Sequence, residues 1–224
     1  MGKSIGLGLL LLAAVLPRMA MAQGIFTERG QDAVAAAVAV SGQGNASALS
    51  VGVGYSLGGS IDAGLVLHRY RFDDYYYYYD RYQIGATGVQ LHANLHLVKQ
   101  NRQLPISLGA TSGFQKLFFS DDVPNVESPS GWSLWLGGFA SHRFDLTDRI
   151  AAVPQVTLGL AHGSFSHTTW GYGRNTISGE SLFLRADGHL AFRDDGGRSW
   201  IVTPFLSVGD NGGGSGLAFG GVFP

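Results

Sequence analysis

From residue 89 to residue 97 the chain reads VQLHANLHL, a strict alternation. Val89, Leu91, Ala93, Leu95 and Leu97 are apolar, while Gln90, His92, Asn94 and His96 are polar but uncharged. Successive side chains on a strand point to opposite faces, so the pattern predicts one apolar face and one wet face. A face in bulk water usually carries Lys, Glu or Asp. Uncharged hydrogen-bonding groups instead fit a confined, watery interior. The pattern predicts a strand that crosses a membrane, with lipid on one side and a polar lumen on the other.

The same period recurs along the chain. In residues 46–57, Leu49, Val51, Val53, Tyr55 and Leu57 oppose Ser50, Gly52, Gly54 and Ser56. Gly58, Gly59 and Ser60 then read as a hairpin turn leading into residues 61–71, with Ile61, Ala63, Leu65 and Leu67 in phase. Residues 82–99 hold the first stretch, and a change of phase near Thr87 and Gly88 predicts a β-bulge. Residues 105–116 set Ile106, Leu108 and Ala110 against Ser107, Gly109 and Thr111. Residues 131–144 follow, then 150–162, where Val156, Leu158 and Leu160 oppose Gln155, Thr157 and Gly159. In residues 181–192, Leu182, Leu184, Ala186 and Leu190 oppose Arg185, Asp187 and His189. Residues 200–208 and 215–223 complete the set, and residues 32–41 form a weaker first member.

These make about ten strands of roughly the 9–11 residues that a tilted span needs. Merging or dropping the weak first hairpin would leave eight. The connections at 58–60, 100–103, 145–149 and 194–198 are short and fall on one side. Three longer ones, 72–81, 117–130 and 163–178, fall on the other. Short turns facing the periplasm and longer loops facing out is the expected asymmetry of such a barrel, and an even strand count returns both termini to the periplasm.

The first 22 residues read as a secretory signal peptide: Lys3, an apolar run over residues 5–16, and Ala20, Met21 and Ala22 before the cut. The expected mature domain is therefore 23–224. The run is too short to span as a helix, and no second apolar run reaches helical length, so a membrane location requires strands. Charged residues are only 14% of the chain, against roughly 25% in soluble domains. Glycine is frequent, at 34 residues, and aromatics stand at 12%, which separates the chain from disordered glycine-rich sequences. Net charge is −1 with no basic patch, so nucleic acid is excluded as a partner class. The absence of cysteine accords with export and removes any disulfide.

At the end of the chain, Leu217, Phe219 and Phe223 alternate within SGLAFGGVF. This resembles the C-terminal signature of bacterial outer-membrane β-barrel proteins. The resemblance covers architecture and points to no named subfamily. It implies a closed, antiparallel, up-and-down β-barrel in the outer membrane of a Gram-negative cell, with Phe219 and Phe223 presented to the barrel insertion machinery. A barrel this small is filled by side chains. The first expectation is therefore a structural or surface-interaction role, with loops meeting lipopolysaccharide or an external partner and no cofactor. A narrow, porin-like channel for small solutes or ions is the alternative, and a lipid-modifying barrel hydrolase is a third. A soluble β-sandwich would place charges on the exposed face of every strand, whereas here most charges fall in turns and loops.

Candidate chemistry divides by strand face. Gln90, His92, Asn94, His96, Arg185, Asp187 and His189 are expected to line the lumen, with the charges paired in a network. His92 and His96, four residues apart, would be a metal pair on a helix but stand about 13–14 Å apart on a strand, so no metal is assigned. His162 and Ser164 share a face at a strand end, and His can activate a Ser nucleophile. The tripeptide is common and no acidic orienter is evident nearby, so they remain candidates only. Tyr75, Tyr76, Tyr77, Tyr78 and Tyr79, framed by Asp73, Asp74 and Asp80, could bind sugars or a partner at the surface. The same acids, with Asp121, Asp122 and Glu127, could capture a cation. The simpler reading is a strand extending above the membrane. Trp132, Trp135, Trp170 and Trp200 are expected in the interfacial aromatic belt. Gly52 and Gly54 precede no helix and form no nucleotide loop.

Overall fold

Ten long strands follow the alternating segments, and a strand of two residues lies between two of them. In order they are β1 (Ala33–Gln43), β2 (Ala46–Leu57), β3 (Ile61–Tyr77), β4 (Asp80–Val98), β5 (Ser107–Phe119), β6 (Val126–Ser141), the short β7 (Phe144–Asp145), β8 (Ile150–Thr169), β9 (Gly173–Arg193), β10 (Ser199–Gly209) and β11 (Gly212–Phe223). The computed structural model describes residues 26–27, 30–77, 80–120, 126–169, 173–210 and 212–224. The expected signal peptide and its cleavage site, with Tyr78, Tyr79, Asp121, Asp122 and Trp170, lie outside the described residues.

All pairings are antiparallel between neighbours, β6 pairs with β8, and β1 pairs with β11, so the sheet closes on itself. Closure leaves the ten-strand barrel no edge. The first hairpin is genuine, with Ala33 to Gln43 in unbroken register against Ser56 to Ala46, which decides for ten strands over eight. At the end of the barrel holding the chain termini, the hairpin between β2 and β3 turns on Gly58 and Gly59, whose φ values are +56° and +60°. Two left-handed residues in sequence suit the twist of a tight hairpin. Beside this turn the Tyr55 hydroxyl and the Gly58 amide each donate to Asp32 at 2.7 Å. These bonds hold the Asp32 carboxyl below its usual range.

The apolar phase faces outward. Leu49, Val51, Leu67, Leu91, Leu134, Leu136, Leu158, Leu160 and Leu206 are all more than half exposed, and they encircle the barrel. Each such side chain gains roughly 1.5–3 kcal/mol when fully removed from water. Soluble monomers rarely expose contiguous apolar patches beyond a few hundred Å². A complete apolar ring is stable only in lipid, which rules out the soluble sandwich.

Three expectations are corrected. The segments 72–81, 117–130 and 163–178 are mostly not loops. β3 continues to Tyr77 and β4 begins at Asp80, while β8 and β9 extend to Thr169 and from Gly173. Backbone pairing continues there after the apolar alternation that reveals a strand has ended. No bulge occurs at Thr87 and Gly88, where the register against Arg69 and His68 is continuous; the irregularities lie at Phe72/Tyr75 and His96/Val98. The apparent phase change arises because Ile84 and Ala86 are apolar yet point inward. Trp135 is not in the outer belt. It is buried in the lumen with Ala161 and Phe183, on the opposite face from Trp132 because the two are an odd number of residues apart.

Inward aromatic rings seat on glycines of the neighbouring strand. His92 lies over Gly64, Phe139 over Gly109, Trp135 over Gly113, Phe183 over Gly159 and Phe205 over Gly216, each at its register position. At Gly113 a Cβ would overlap the rigid Trp135 indole. Gly113→Ala is therefore expected to destabilise the barrel by about 1–3 kcal/mol through overpacking, measured by urea unfolding in detergent micelles. Gly179→Ala, where no described heavy atom lies within 4 Å of the new Cβ, is the control and is expected to change little.

Candidate functional site

Two places bring polar side chains together, the lumen and a patch on the outer face. The strand alternation builds the first. Gln90, His92, Asn94 and His96 all point inward from β4 and are buried, as are Arg185, Asp187 and His189 from β9. They do not form one ladder. His96 Nε2 lies 2.8 Å from Asp62 Oδ2, with the Phe139 ring edge-on to the imidazole at 5.2 Å. Arg185 grips Asp187 through Nε at 2.8 Å and Nη2 at 2.6 Å, and its guanidinium sits 4.2 Å above the centre of the Phe205 ring. His68 bridges Ser50 at 2.8 Å and Gln90 at 3.1 Å. His189 Nδ1 meets Thr203 Oγ1 at 2.9 Å.

Asp62, His68, Tyr70, Gln115 and Thr203 belong to this interior and escaped the sequence reading. The signal for the β3 members was present, since Asp62 and His68 occupy the phase opposite Ile61, Ala63, Leu65 and Leu67. What the sequence hides is that Asp62 stands next to His96 across two strands.

The lumen changes character along its axis. Near the termini, Phe26 packs on Val153 and Ala191 and meets the His189 ring edge-on, while Lys99 Nζ donates to the Thr27 carbonyl at 2.8 Å. The Asp62–His96 and Arg185–Asp187 pairs and the His68 bridge come next. Toward the opposite end the wall formed by β2 to β5 becomes apolar, while Gln43, Ser133, Ser181 and Ser207 remain as buried polar groups on other strands. Tyr70, Phe72, Ile84, Ala86 and Leu117 form one buried cluster with Phe119 against it, and Phe119 meets Phe165 edge-on at 5.3 Å. Tyr70 stacks on His68 at 5.3 Å, and its hydroxyl is hydrogen-bonded by Gln115.

The second place is on the outer face. On β8 the outward residues run Val156, Leu158, Leu160, then His162 and Ser164; on β9 Leu182 gives way to Glu180, and on β6 Leu134 gives way to Trp132. Register sets His162 opposite both Glu180 and Leu134, and Ser164 opposite Trp132. His162 Nδ1 lies 3.6 Å from Glu180 Oε1, and the Trp132 indole packs on the imidazole at 5.4 Å between ring centres. The acidic neighbour absent from the local sequence is thus supplied by the next strand. Of the tyrosine run, Tyr75, Tyr76 and Tyr77 end β3, with Tyr75 in register with Tyr82 and Tyr77 with Asp80. Among the described residues no group of three or more His, Asp or Glu is arranged to hold a metal.

No family model matches the chain, and no curated protein matches it. Solved structures do. The translocator domain of the autotransporter NalP from Neisseria meningitidis is 12% identical, with 88% of this chain and 89% of that one covered at a TM-score of 0.53. The outer membrane protease OmpT from Escherichia coli is 11% identical, with 88% and 98% covered at 0.47. Ail, the attachment invasion locus protein of Yersinia pestis, is 13% identical, with 88% and 99% covered at 0.41. Identities this low speak to architecture alone. The chain has the fold of the bacterial outer-membrane β-barrels, realised as a closed antiparallel barrel of ten strands.

Proposed function

We propose that the chain is a non-conducting barrel of the bacterial outer membrane, its termini in the periplasm and its long hairpins outside. The observation that carries this reading is the apolar cluster of Tyr70, Phe72, Ile84 and Leu117 on the wall of the outward half of the lumen, reaching β8 through Phe119 and Phe165. A path for ions needs continuous water or polar lining, and an apolar cluster over this wall works against both. The hairpins β3–β4 and β8–β9 are the longest strand pairs and rise furthest from the apolar band. They are the surface offered to lipopolysaccharide or an external partner. Phe219 and Phe223 lie outward on the last strand, Phe219 stacked on Trp200 at 6.0 Å and Phe223 edge-on to it at 5.7 Å. That placement suits recognition by the insertion machinery before the barrel closes.

Protein extracted from outer-membrane fractions and placed in planar bilayers is expected to give no conductance steps. Reproducible ion-conducting steps from the unaltered chain would replace this reading with the narrow channel.

The lumen pairs yield a second expectation. Asp187→Asn leaves the Arg185 guanidinium buried without its anion and should destabilise the barrel by about 3–5 kcal/mol, read as a fall in the temperature at which the folded gel band is lost. Replacing both partners together by Arg185→Met and Asp187→Leu should recover most of that loss, because the buried charge itself is then gone. Equal destabilisation by the single and double changes would show that the pair is not the cause.

A further inference from the structure

We infer that the outer-face patch of His162, Ser164 and Glu180 is an ester-cleaving site for membrane lipid, with Ser164 as nucleophile and His162 as its base. The inference stands on the outside of the barrel and is independent of whether the lumen conducts. Three observations converge on it.

The first is the order of groups. A hydroxyl, an imidazole and a carboxylate sit on one face of one hairpin, and triads are recognised by such geometry and roles rather than by sequence position. His162 and Ser164 stand two residues apart on β8 with side chains to the same side, about 7 Å apart at Cα. Glu180 approaches the Nδ1 side of the ring at 3.6 Å, the side from which an orienting carboxylate fixes the tautomer and leaves Nε2 to take a proton. Trp132 packs on the imidazole at 5.4 Å and restricts its swing.

The second is burial. His162 and Glu180 are open to the surroundings, with side chains 42% and 82% exposed, while Ser164 is 9% exposed although it points outward. An open pair of this kind contributes little to stability, so folding does not account for the arrangement. The third is depth. On β8, β9 and β6 alike, the outward leucines end and polar or aromatic residues begin at this level. Trp132, stacked with Phe114 at 6.4 Å, marks the interface where aromatic belts sit. The ester bonds of acylated lipids lie at that level, between the hydrocarbon and the headgroups. A water-soluble ester would have no reason to meet a site there.

The reaction needs only water as co-reactant. Ser164 Oγ attacks the ester carbonyl carbon while its proton passes to His162 Nε2. The carbon–oxygen bond to the lipid alcohol then breaks, and the same proton leaves with the alcohol. Water attacks the acyl-serine, giving its proton to His162. The acyl–Oγ bond breaks, a fatty acid is released, and Ser164 recovers its hydroxyl. Glu180 touches neither substrate nor the reacting atoms. It is a positioning residue.

The test uses the full chain from outer membranes, incubated with phosphatidylethanolamine vesicles in one arm and lipopolysaccharide-containing vesicles in the other, with released fatty acid measured by mass spectrometry. A heat-dependent gel shift certifies the fold of each variant. Release is expected in at least one arm, and the productive arm identifies the lipid. Ser164→Ala should reduce it at least about a thousandfold, and His162→Ala by roughly 10²–10⁴-fold. Glu180→Gln should lower kcat at least tenfold with KM unchanged, and Glu180→Asp should restore part of that loss. Ser166→Ala, whose hydroxyl pairs with Thr176 at 2.9 Å, should leave the rate unaltered. A fluorophosphonate probe on the unaltered chain should mark Ser164 in peptide mass spectra, a result that needs no variant. Release from neither lipid, or release undiminished in Ser164→Ala, overturns the assignment, as does labelling without release.

Discussion

In the hydrocarbon of a bilayer no water is available to an unpaired amide or carbonyl, so every backbone polar group must find its partner within the protein. That requirement governs this molecule. Ten strands satisfy it only because β1 meets β11 and β6 meets β8; opening either seam would expose two rows of unpaired groups to lipid. Once the ring is closed, its circumference sets the width of the lumen, and the inward residues must fill what the backbone encloses. The glycines have their use here. A ring laid over a glycine on the next strand, as Trp135 lies over Gly113, fills space that two ordinary side chains would crowd. The high glycine content and the inward aromatics are two halves of one packing solution.

Filling is done differently at the two ends. Toward the termini the interior is polar, and its ionisable groups are buried as close pairs, Asp62 with His96 and Arg185 with Asp187. Each pairing offsets part of the cost of taking these groups out of water. Toward the outward end Tyr70, Phe72, Ile84 and Leu117 pack as an apolar cluster on one wall. His68 and Tyr70 join the two regimes, the imidazole bonded to Ser50 and Gln90 on its polar side and stacked on the tyrosine ring on the other.

On the outer face the apolar band matters as much as the groups at its edge. Leu134, Leu158, Leu160 and Leu182 are exposed because lipid covers them. Where they end, His162, Ser164, Glu180 and Trp132 begin. The proposed site thus stands at the level where the apolar band gives way to polar and aromatic side chains.

The sequence by itself determined the elements and their faces. Residues 46–57 alternate so regularly that the predicted strand and β2 coincide. The inward phase of Gln90, His92, Asn94 and His96 was legible because a strand has a period of two and one of its faces must be apolar in lipid. The same logic failed where its premise lapsed. Above the band neither face need be apolar, so the continuation of β3, β4, β8 and β9 left no pattern to read. At Ile84 and Ala86 the inward face is apolar while the outward face carries Gly85 and Thr87, so the reversal of polarity imitated a slip of phase. Only the tertiary structure decided which residues meet. Asp62, in register with Asn94, meets His96 diagonally, and Glu180 faces His162, because of the register between neighbouring strands. Register is a property of two segments held together by the closed ladder, and no single stretch of sequence contains it.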